Sequence, residues 1–525
     1  MAESRDVKQD RVTGQRQRVD QSIEIRKQKR MDALKKRRKD SGHTSLTSLT
    51  SLTNATNMVG SDQTDQTIFA NLHRYVQMVN QSDDAVLLKG VRSIRKMLSN
   101  VDQVNAIAAQ AVVQTNIVPR LVQLLKRIDN PGLQYEVIWA LTNIASTNLT
   151  DCLAVDQPPS KCNALPIVVQ LMRSPNPDVR DQCCWCVGNV AGDGAKLRDT
   201  ILAVPNSMTN LLLNITKASS EDALQNAVWA LANMCRFKPK PDKSVWLPTV
   251  PVLAKLILLE NKRVLADTCW ALSYLSDGDD EDIQHLVDVV PTKRLVDLAG
   301  HADTQVVAAA LRFIGNIISG TDSQAQALID TGGLFARMFR LLDHPKKSIQ
   351  KETCWTLSNI AAGTTSQARQ LAHYVEAGES IVGKVIQLGL AGDFGVKKEA
   401  CWMVANLCTR NDQVCIAKVV GSQPSGLEAL CQALLMTDET VVLASLEAIQ
   451  SILEHHIPKL PDAAGPGEKS VGELIEQYGG LDNLEVLQES ANEKIYLKAA
   501  HIVESYINND QGEDTDDDAP GFTFA

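Results

Sequence analysis

The sequence predicts an all-α fold: a right-handed superhelical solenoid with a flexible basic N-terminal arm. Three observations predict it. A nine-residue segment recurs along the chain at intervals of 41 to 47 residues. Six of the seven tryptophans share one position in that segment. Aromatic residues make up only 4% of a 525-residue chain that is 44% hydrophobic, which favours helices packed through Ala, Leu and Val over packed sheets.

The repeat is visible when seven segments are aligned. They are VIWALTNIA (137–145), CCWCVGNVA (183–191), AVWALANMC (227–235), TCWALSYLS (268–276), ALRFIGNII (310–318), TCWTLSNIA (353–361) and ACWMVANLC (400–408). A helical repeat of this length is typical of HEAT and armadillo arrays. Weaker units around 87–98, 443–453 and 495–506 bring the expected total to about ten armadillo repeats. The terminal units lack Trp, as capping repeats often depart from the consensus.

Charge and composition divide the chain into three parts. Residues 1–40 contain 14 Lys/Arg and 7 Asp/Glu, a net charge of +7. Because the whole chain has a net charge of −9, the remaining residues carry −9 − 7 = −16. A Ser/Thr-rich tract with a TSL repeat follows and predicts a linker. We therefore expect an arm and linker over 1–60, the repeat array over 68–506 and an acidic flexible tail over 507–525. An acidic body favours basic ligands, including its own arm.

The tryptophan position shares one helix face with the residue three before it and the residue four after it. The residues four after it are Asn143, Asn189, Asn233, Tyr274, Asn316, Asn359 and Asn406. The residues three before it are Glu136, Gln182, Asn226, Asp267, Ala309, Glu352 and Glu399. The residues one, two and five after the Trp position are mostly apolar, so we expect the core there. Burying the polar stripe without partners would cost free energy, so we expect it on the exposed inner face of the array. The alternative is that each Trp anchors the core and each Asn is a structural cap.

A stripe of this composition suits an extended Lys/Arg-rich peptide. Tryptophan rings can flank the aliphatic stems of Lys and Arg, and the Asn amides can hold a peptide backbone without reading its side chains. Acids nearby would select cations. Tyr274 and Arg312 interrupt the stripe. Two binding segments are therefore expected, one over Trp139–Trp229 and one over Trp355–Trp402 with Asn316, which a two-cluster ligand could occupy together.

Other functions fit less well. No apolar run approaches 18 residues and the N-terminus is charged, so we expect neither a membrane span nor a signal peptide. The Gly-containing AGDG (191–194) and SGTD (319–322) match no nucleotide-binding loop, and we expect no enzyme, catalytic residue or cofactor. Cys183, Cys184 and Cys186 lack zinc-site spacing and predict buried thiols instead of a metal site. The acidic body argues against direct nucleic-acid binding.

On these residues the chain resembles the importin-alpha family, the adaptors that carry nuclear localisation signals. The resemblance covers nearly the whole chain: the interrupted Trp/Asn array, the segment SIEIRKQKRMDALKKRRK (22–39) and the acidic ending EDTDDDAPGFTFA. It implies a nuclear import adaptor that shuttles between cytoplasm and nucleus and binds cargo signals and importin-beta. It also implies an export receptor and nucleoporins as partners of the C-terminal region. The runner-up is an armadillo scaffold of another class, such as a beta-catenin-like hub, but those tend to bind acidic partners in a basic groove.

The resemblance further implies individual site residues. A major signal-binding groove would use Trp139, Asn143, Ser146, Gln182, Trp185, Asn189, Asp193, Trp229, Asn233 and Asp267. A minor groove would use Asn316, Asp322, Glu352, Trp355, Asn359, Glu399, Trp402 and Asn406. In the arm, an internal signal mimic would consist of Lys35, Lys36, Arg37, Arg38 and Lys39. Asp193 matches the family acid that receives the key signal lysine, and the glycines around it are expected to end the preceding helix.

Overall fold

The computed structural model describes residues 71–99, 104–147, 163–455 and 469–507, and within them the chain is almost entirely helical, as predicted. Ten helices, α1 to α10, recur once per repeat. They are Asp84–Leu98, Pro131–Ile144, Pro177–Ala191, Glu221–Cys235, Lys262–Leu275, Thr304–Ile318, Lys347–Ala361, Phe394–Cys408, Glu439–His455 and Glu493–Ile502. The predictions for the arm over 1–60 and for the tail beyond 507 lie outside the described residues.

Shorter helices connect these ten. Residues 71–79 are helical, and the others are Val104–Gln114, Val118–Leu124, Leu165–Leu171, Ala195–Leu202, Ser207–Thr216, Lys243–Trp246, Val250–Leu256, Asp280–Val289, Thr292–Leu298, Asp322–Asp330, Leu334–Leu341, Thr365–His373, Ile381–Ala391, Gln413–Val420, Gly426–Ala433, Val471–Gln477 and Gly480–Leu487. A 3₁₀ turn spans Leu247–Thr249 and a π-helical turn spans Val503–Ile507. Two short strands, Val375–Glu376 and Glu379–Ser380, form an antiparallel hairpin.

Local sequence explains where the long helices begin. In eight of the ten, an Asp, Asn or Ser at the N-cap accepts a hydrogen bond from a backbone N–H of the first turn. Asn130 and Asn176 are followed by Pro131 and Pro177, whose fixed φ suits the first helical position. The caps recur with the repeat because each long helix must start afresh after its turn.

The chain divides into two compact units, Met1–Asn214 and Ile215–Ala525. In the first unit, α2 packs against both α1 and α3. In the second unit, each helix from α4 to α10 packs against the next one in the series. Each unit is therefore a stack of repeats in chain order, as an armadillo array requires.

The core of each stack is aliphatic, and its repeat positions are those predicted. The residues one, two and five after the Trp position, such as Ala140, Leu141 and Ile144 in α2, are fully buried. Trp246, the one tryptophan outside the repeat series, is 1% exposed and belongs to the core. None of the helices in the described ranges is long and apolar enough to cross a membrane.

Candidate functional site

The tryptophans of the repeat series differ in exposure from Trp246. Those of α2, α4, α5, α7 and α8 are half-buried, so that part of each indole is open to solvent. Trp185 in α3 is the exception, with 6% of its surface exposed. The predicted open position is therefore correct for five of the six. A half-buried indole can pack on its own repeat while presenting ring surface to a ligand.

The asparagines form a ladder between consecutive helices. Asn143 donates from Nδ2 to the carbonyl oxygen of Arg95 at 3.4 Å and to Ser99 Oγ at 3.0 Å. Asn189 donates to the carbonyl of Thr142 at 3.1 Å. In each case the acceptor carbonyl lies on the preceding long helix, so the side-chain amide joins two repeats.

The ladder continues in the second unit. Asn316 donates to Ser273 O at 2.8 Å and to Ser276 Oγ at 3.0 Å, and Asn406 donates to Ser358 O at 3.0 Å. In the bonds from Asn189, Asn316 and Asn406, the acceptor is the residue three after the Trp of the preceding helix. Asn359 differs because its Nδ2 is buried without a hydrogen-bond partner among the described residues.

The expectation of exposed amides is therefore wrong for most of the series. Asn143, Asn189, Asn233 and Asn316 are buried, and Asn359 and Asn406 are half-buried. The argument that burial would leave the amide unpaired overlooked the carbonyls near the end of the preceding helix, which are available as acceptors. The alternative of a structural Asn is correct for the Nδ2 donors of the ladder, and the Oδ1 atom of Asn189 is also buried, without a hydrogen-bond partner among the described residues.

The polar residues before the Trp position are also largely engaged. Gln182 is buried and donates to Thr142 Oγ1 at 3.0 Å. Glu352 forms an ion pair with Arg312 at 3.0 Å, and Glu399 is buried. Asp267 is half-buried. The structure places these residues on the predicted helix face, but their groups serve the repeats themselves as well as any ligand.

Two of the predicted acids differ from these, because they are exposed. Helix α3 ends at Ala191 with Gly192 as its C-cap, at the predicted place, although Gly192 has φ −74° and not the left-handed conformation that favours glycine at a helix end; Asp193 follows it. Its carboxylate has no hydrogen-bond or ion-pair partner among the described residues. The Asp322 carboxylate, at the start of the helix Asp322–Asp330, is exposed in the same way, and only its backbone oxygen is bonded. These two carboxylates are available to an incoming cation.

The remaining predicted residues and the interruption are also placed. Ser146 Oγ donates to the Asn143 carbonyl at 2.7 Å at the end of α2. Tyr274 stacks on Trp270 with ring centroids 5.9 Å apart, so the residue that replaces Asn covers the neighbouring indole. The interruption in the middle of the series is thus a change in surface, from open indole to a paired aromatic stack.

The cysteines behave as buried thiols. All ten cysteines among the described residues are buried, and none of them forms a disulfide. Burial raises the pKa of the Cys186 thiol to about 12 and that of Cys183 well above its usual range. The described ranges contain no group of three or more His, Cys, Asp or Glu side chains arranged to hold a metal ion.

The sequence analysis predicted a weaker repeat unit at 87–98 but did not assign its Trp position. The Asn143 ladder bond to Arg95 puts Arg92, three residues earlier, at the Trp position of α1. The spacing of 47 residues back from Trp139 could have located it, because the same spacing separates Trp355 from Trp402. Arginine therefore occupies the Trp position twice, at Arg92 and at Arg312.

Three family models match this chain. One described as an importin beta binding domain matches residues 5–92, and one described as an armadillo/beta-catenin-like repeat matches 107–146, 160–192 and 339–362. An atypical Arm repeat matches 469–521. The armadillo matches agree with the repeat predicted from the tryptophan spacing.

Similar curated proteins span nearly the whole chain. The chain is 36% identical over 516 residues to importin subunit alpha-1a of Oryza sativa subsp. japonica, which covers 98% of this chain and 92% of the relative. It is 36% identical to importin subunit alpha-3 of Arabidopsis thaliana, covering 98% and 94%. Among solved structures, an engineered protein has the same fold, with a TM-score of 0.70 at 24% identity over 82% of this chain and 98% of its own.

Proposed function

The chain belongs to the importin-alpha family, and from that premise we propose that it is a nuclear import adaptor that binds Lys/Arg-rich nuclear localisation signals beside its repeated tryptophans. The family and its fold are those of transport adaptors, so the chain is not an enzyme. The observation that carries the proposal is the recurrence of half-buried indoles on long helices in both units, with free carboxylates at Asp193 and Asp322. Indole surface and unpaired carboxylate are the two partners that a lysine side chain needs.

Each unit contributes its own part of the proposed signal-binding surface. In the first unit the residues are Trp139, Asn143, Ser146, Gln182, Trp185, Asn189 and Asp193. In the second unit they are Trp229, Asn233, Asp267, Asn316, Asp322, Glu352, Trp355, Asn359, Glu399, Trp402 and Asn406. The aliphatic stem of a signal Lys or Arg packs on indole, and its charge reaches a carboxylate. The Asn amide oxygens accept hydrogen bonds from the signal backbone, except at Asn189, whose Oδ1 is buried.

The N-terminal arm accounts for the second proposed partner, importin-beta. The match to an importin beta binding domain over residues 5–92 supports binding of importin-beta by the N-terminal region. We propose that Lys35–Lys39 compete with cargo when importin-beta is absent, because residues 1–40 carry a net charge of +7 and the rest of the chain carries −16, so the two parts attract each other. Importin-beta then removes the competitor by binding the arm. The linker makes this competition intramolecular and therefore effective.

Release and recycling complete the proposal. The C-terminal region, with the acidic residues after 507, would meet an export receptor and nucleoporins, and the protein would shuttle between cytoplasm and nucleus. We place the arm and linker at 1–60, the repeats at 68–506 and the tail at 507–525. No direct contact with nucleic acid or insertion into a membrane forms part of this function.

A binding experiment separates this proposal from an armadillo scaffold of another class. The full-length chain is offered immobilised peptides with two Lys/Arg clusters, or peptides of equal length with Asp/Glu in the same positions. A signal-binding adaptor retains the basic peptide, and retention weakens as salt is raised. Selective retention of the acidic peptide would reject the adaptor and favour a beta-catenin-like scaffold. Importin-beta added to the basic-peptide complex should join it through the arm.

A further inference from the structure

One face of Trp139 is already covered by a cation from the chain itself. The guanidinium carbon of Arg95, on α1, lies 4.1 Å from the centroid of the indole ring. Its side chain is only 13% exposed, so the stack is largely removed from solvent. A guanidinium over an indole at this distance is a cation–π contact, the same contact that a signal Lys or Arg would make.

The acid beside Trp139 is neutralised in the same cluster. Glu136 lies one helical turn before Trp139, and its side chain is 7% exposed. Arg95 Nε lies 2.9 Å from Oε2, and Arg92 Nε lies 2.8 Å from Oε1. Two guanidinium groups share one carboxylate, which leaves a surplus positive charge. Because the Arg92 side chain is 50% exposed, that charge is presented to solvent.

The position of α2 between α1 and α3 determines which side of Trp139 is covered by Arg95. Helix α2 packs between α1 and α3 in the sequence of repeats, and the Asn143 side chain ties α2 to the carbonyl of Arg95. Arg95 thus reaches Trp139 from the α1 side, away from Trp185. The half-buried indole also packs edge to face against Tyr135, with ring centroids 5.6 Å apart, while its α1 side holds an arginine.

The second unit contains the same three-part arrangement. Arg312 lies with its guanidinium carbon 5.3 Å from the centroid of Trp355 and forms an ion pair with Glu352 at 3.0 Å. Glu352 is three residues before Trp355, as Glu136 is before Trp139. The two arginines come from different positions of their helices, because Arg312 occupies the Trp position and Arg95 lies three residues after it. An arginine that stacks on a Trp ring and forms an ion pair with a Glu therefore occurs in both units.

We propose that Arg92 and Arg95, held on Glu136 and Trp139, form an arginine stop that ends the basic-signal path on the α1 side of the first unit. The stop takes the place that a signal cation would occupy. The ligand residue next to it therefore meets a positive charge, and the stop selects a neutral or acidic side chain there over Lys or Arg. This inference rests on the proposed binding of basic signals and adds a specificity determinant to it.

Peptides with variable flanks test the stop on the full-length chain. Each fluorescent peptide carries one Lys/Arg cluster with three flanking residues of Ala, Lys or Glu at one end or the other. At one of the two ends, wild type should bind the Glu-flanked peptide about fivefold more tightly than the Lys-flanked one, the size expected of a solvent-exposed charge pair. The preference should shrink in high salt.

Two variants change the stop in opposite ways. Arg92→Gln combined with Arg95→Gln uncovers Trp139 and leaves the Glu136 carboxylate for a ligand cation, so the preference should reverse towards Lys. Adding Glu136→Gln removes all three charges, and flanks of Lys and Glu should then bind equally. The triple variant leaves no buried unpaired charge, so it keeps the test open where the double variant does not fold. Thermal unfolding of each variant checks that the repeats remain intact.

The outcomes separate the two proposals. If no basic peptide binds wild type, the proposed signal binding fails and the stop fails with it. If the cluster binds but wild type shows no flank preference, or the triple variant retains the wild-type preference, the stop is overturned while signal binding stands. A purely structural role for the arginines would lower the unfolding temperature of the variants and leave flank selection unchanged.

Discussion

Replacing Asp193 should remove signal binding without weakening the fold. Its carboxylate is exposed and has no partner among the described residues, so its removal breaks no hydrogen bond or ion pair there. A charge-assisted hydrogen bond from a signal lysine contributes about 1.5–3 kcal/mol, and each 1.4 kcal/mol is a factor of about ten. Asp193→Asn should therefore weaken binding of a single-cluster peptide roughly 10- to 100-fold. Asp193→Lys adds repulsion and should reduce it to the level of nonspecific binding.

The same helix provides a matched control. Asp178 is also exposed, also without a side-chain partner among the described residues, and lies in the first turn of the 15-residue helix α3. At about 1.5 Å per residue it is roughly 20 Å from Asp193. Asp178→Lys makes the same change of charge and costs about 0.3–1 kcal/mol of stability at the helix N-terminus, but it should leave binding nearly intact.

Fluorescence anisotropy with a labelled single-cluster Lys/Arg peptide measures affinity for both variants, and thermal unfolding measures stability. Equal loss of affinity in Asp193→Lys and Asp178→Lys would mean that only the net charge matters. Unaltered binding by Asp193→Lys would refute the placement of the signal lysine at this carboxylate. Either result would leave the fold argument untouched, because neither carboxylate supports a contact within the repeats.

Three further predictions follow from the charges and contacts described. Deleting residues 1–60 should raise affinity for a basic peptide in the same anisotropy assay, and an unchanged affinity would contradict competition by Lys35–Lys39. Asn316→Ala should cost about 1–3 kcal/mol of stability in thermal unfolding because its two Nδ2 bonds are lost, whereas Asn359→Ala, which loses no such bond, should cost clearly less. Burial raises the pKa of Cys269 and Cys401 to about 12, so iodoacetamide at pH 8 should alkylate these thiols far more slowly in the native than in the unfolded chain. Because the pKa of these thiols is higher in the folded than in the unfolded chain, the stability that comes from keeping them protonated is complete below about pH 8.5 and is lost as pH rises towards 12. Equal alkylation rates in the native and the unfolded chain would contradict the burial of these thiols.

The sequence was sufficient for the fold because its signal was repeated. A tryptophan every 41–47 residues, with apolar neighbours one, two and five positions later, predicted both the helices and their buried faces. The sequence did not predict that most of the repeated asparagines are buried, because their hydrogen-bond partners lie on the preceding helix and depend on how the repeats stack. It also missed Arg92, since an arginine lacks the aromatic ring by which the other repeats were aligned, and the hydrogen bond from Asn143 to Arg95 identified its position.

The hydrogen bonds of the asparagine ladder change what can be concluded from a residue that recurs in many repeats. Asn143, Asn189, Asn316 and Asn406 each fix their repeat to the one before it, and this bond would form whether or not the repeat bound a ligand. Recurrence of Asn alone is therefore poor evidence for a ligand. The feature that the fold does not require is the free carboxylate, which makes no side-chain contact within the described repeats. Asp193 has this property and Asn189 does not, so substitution of Asp193 tests binding without also testing the fold.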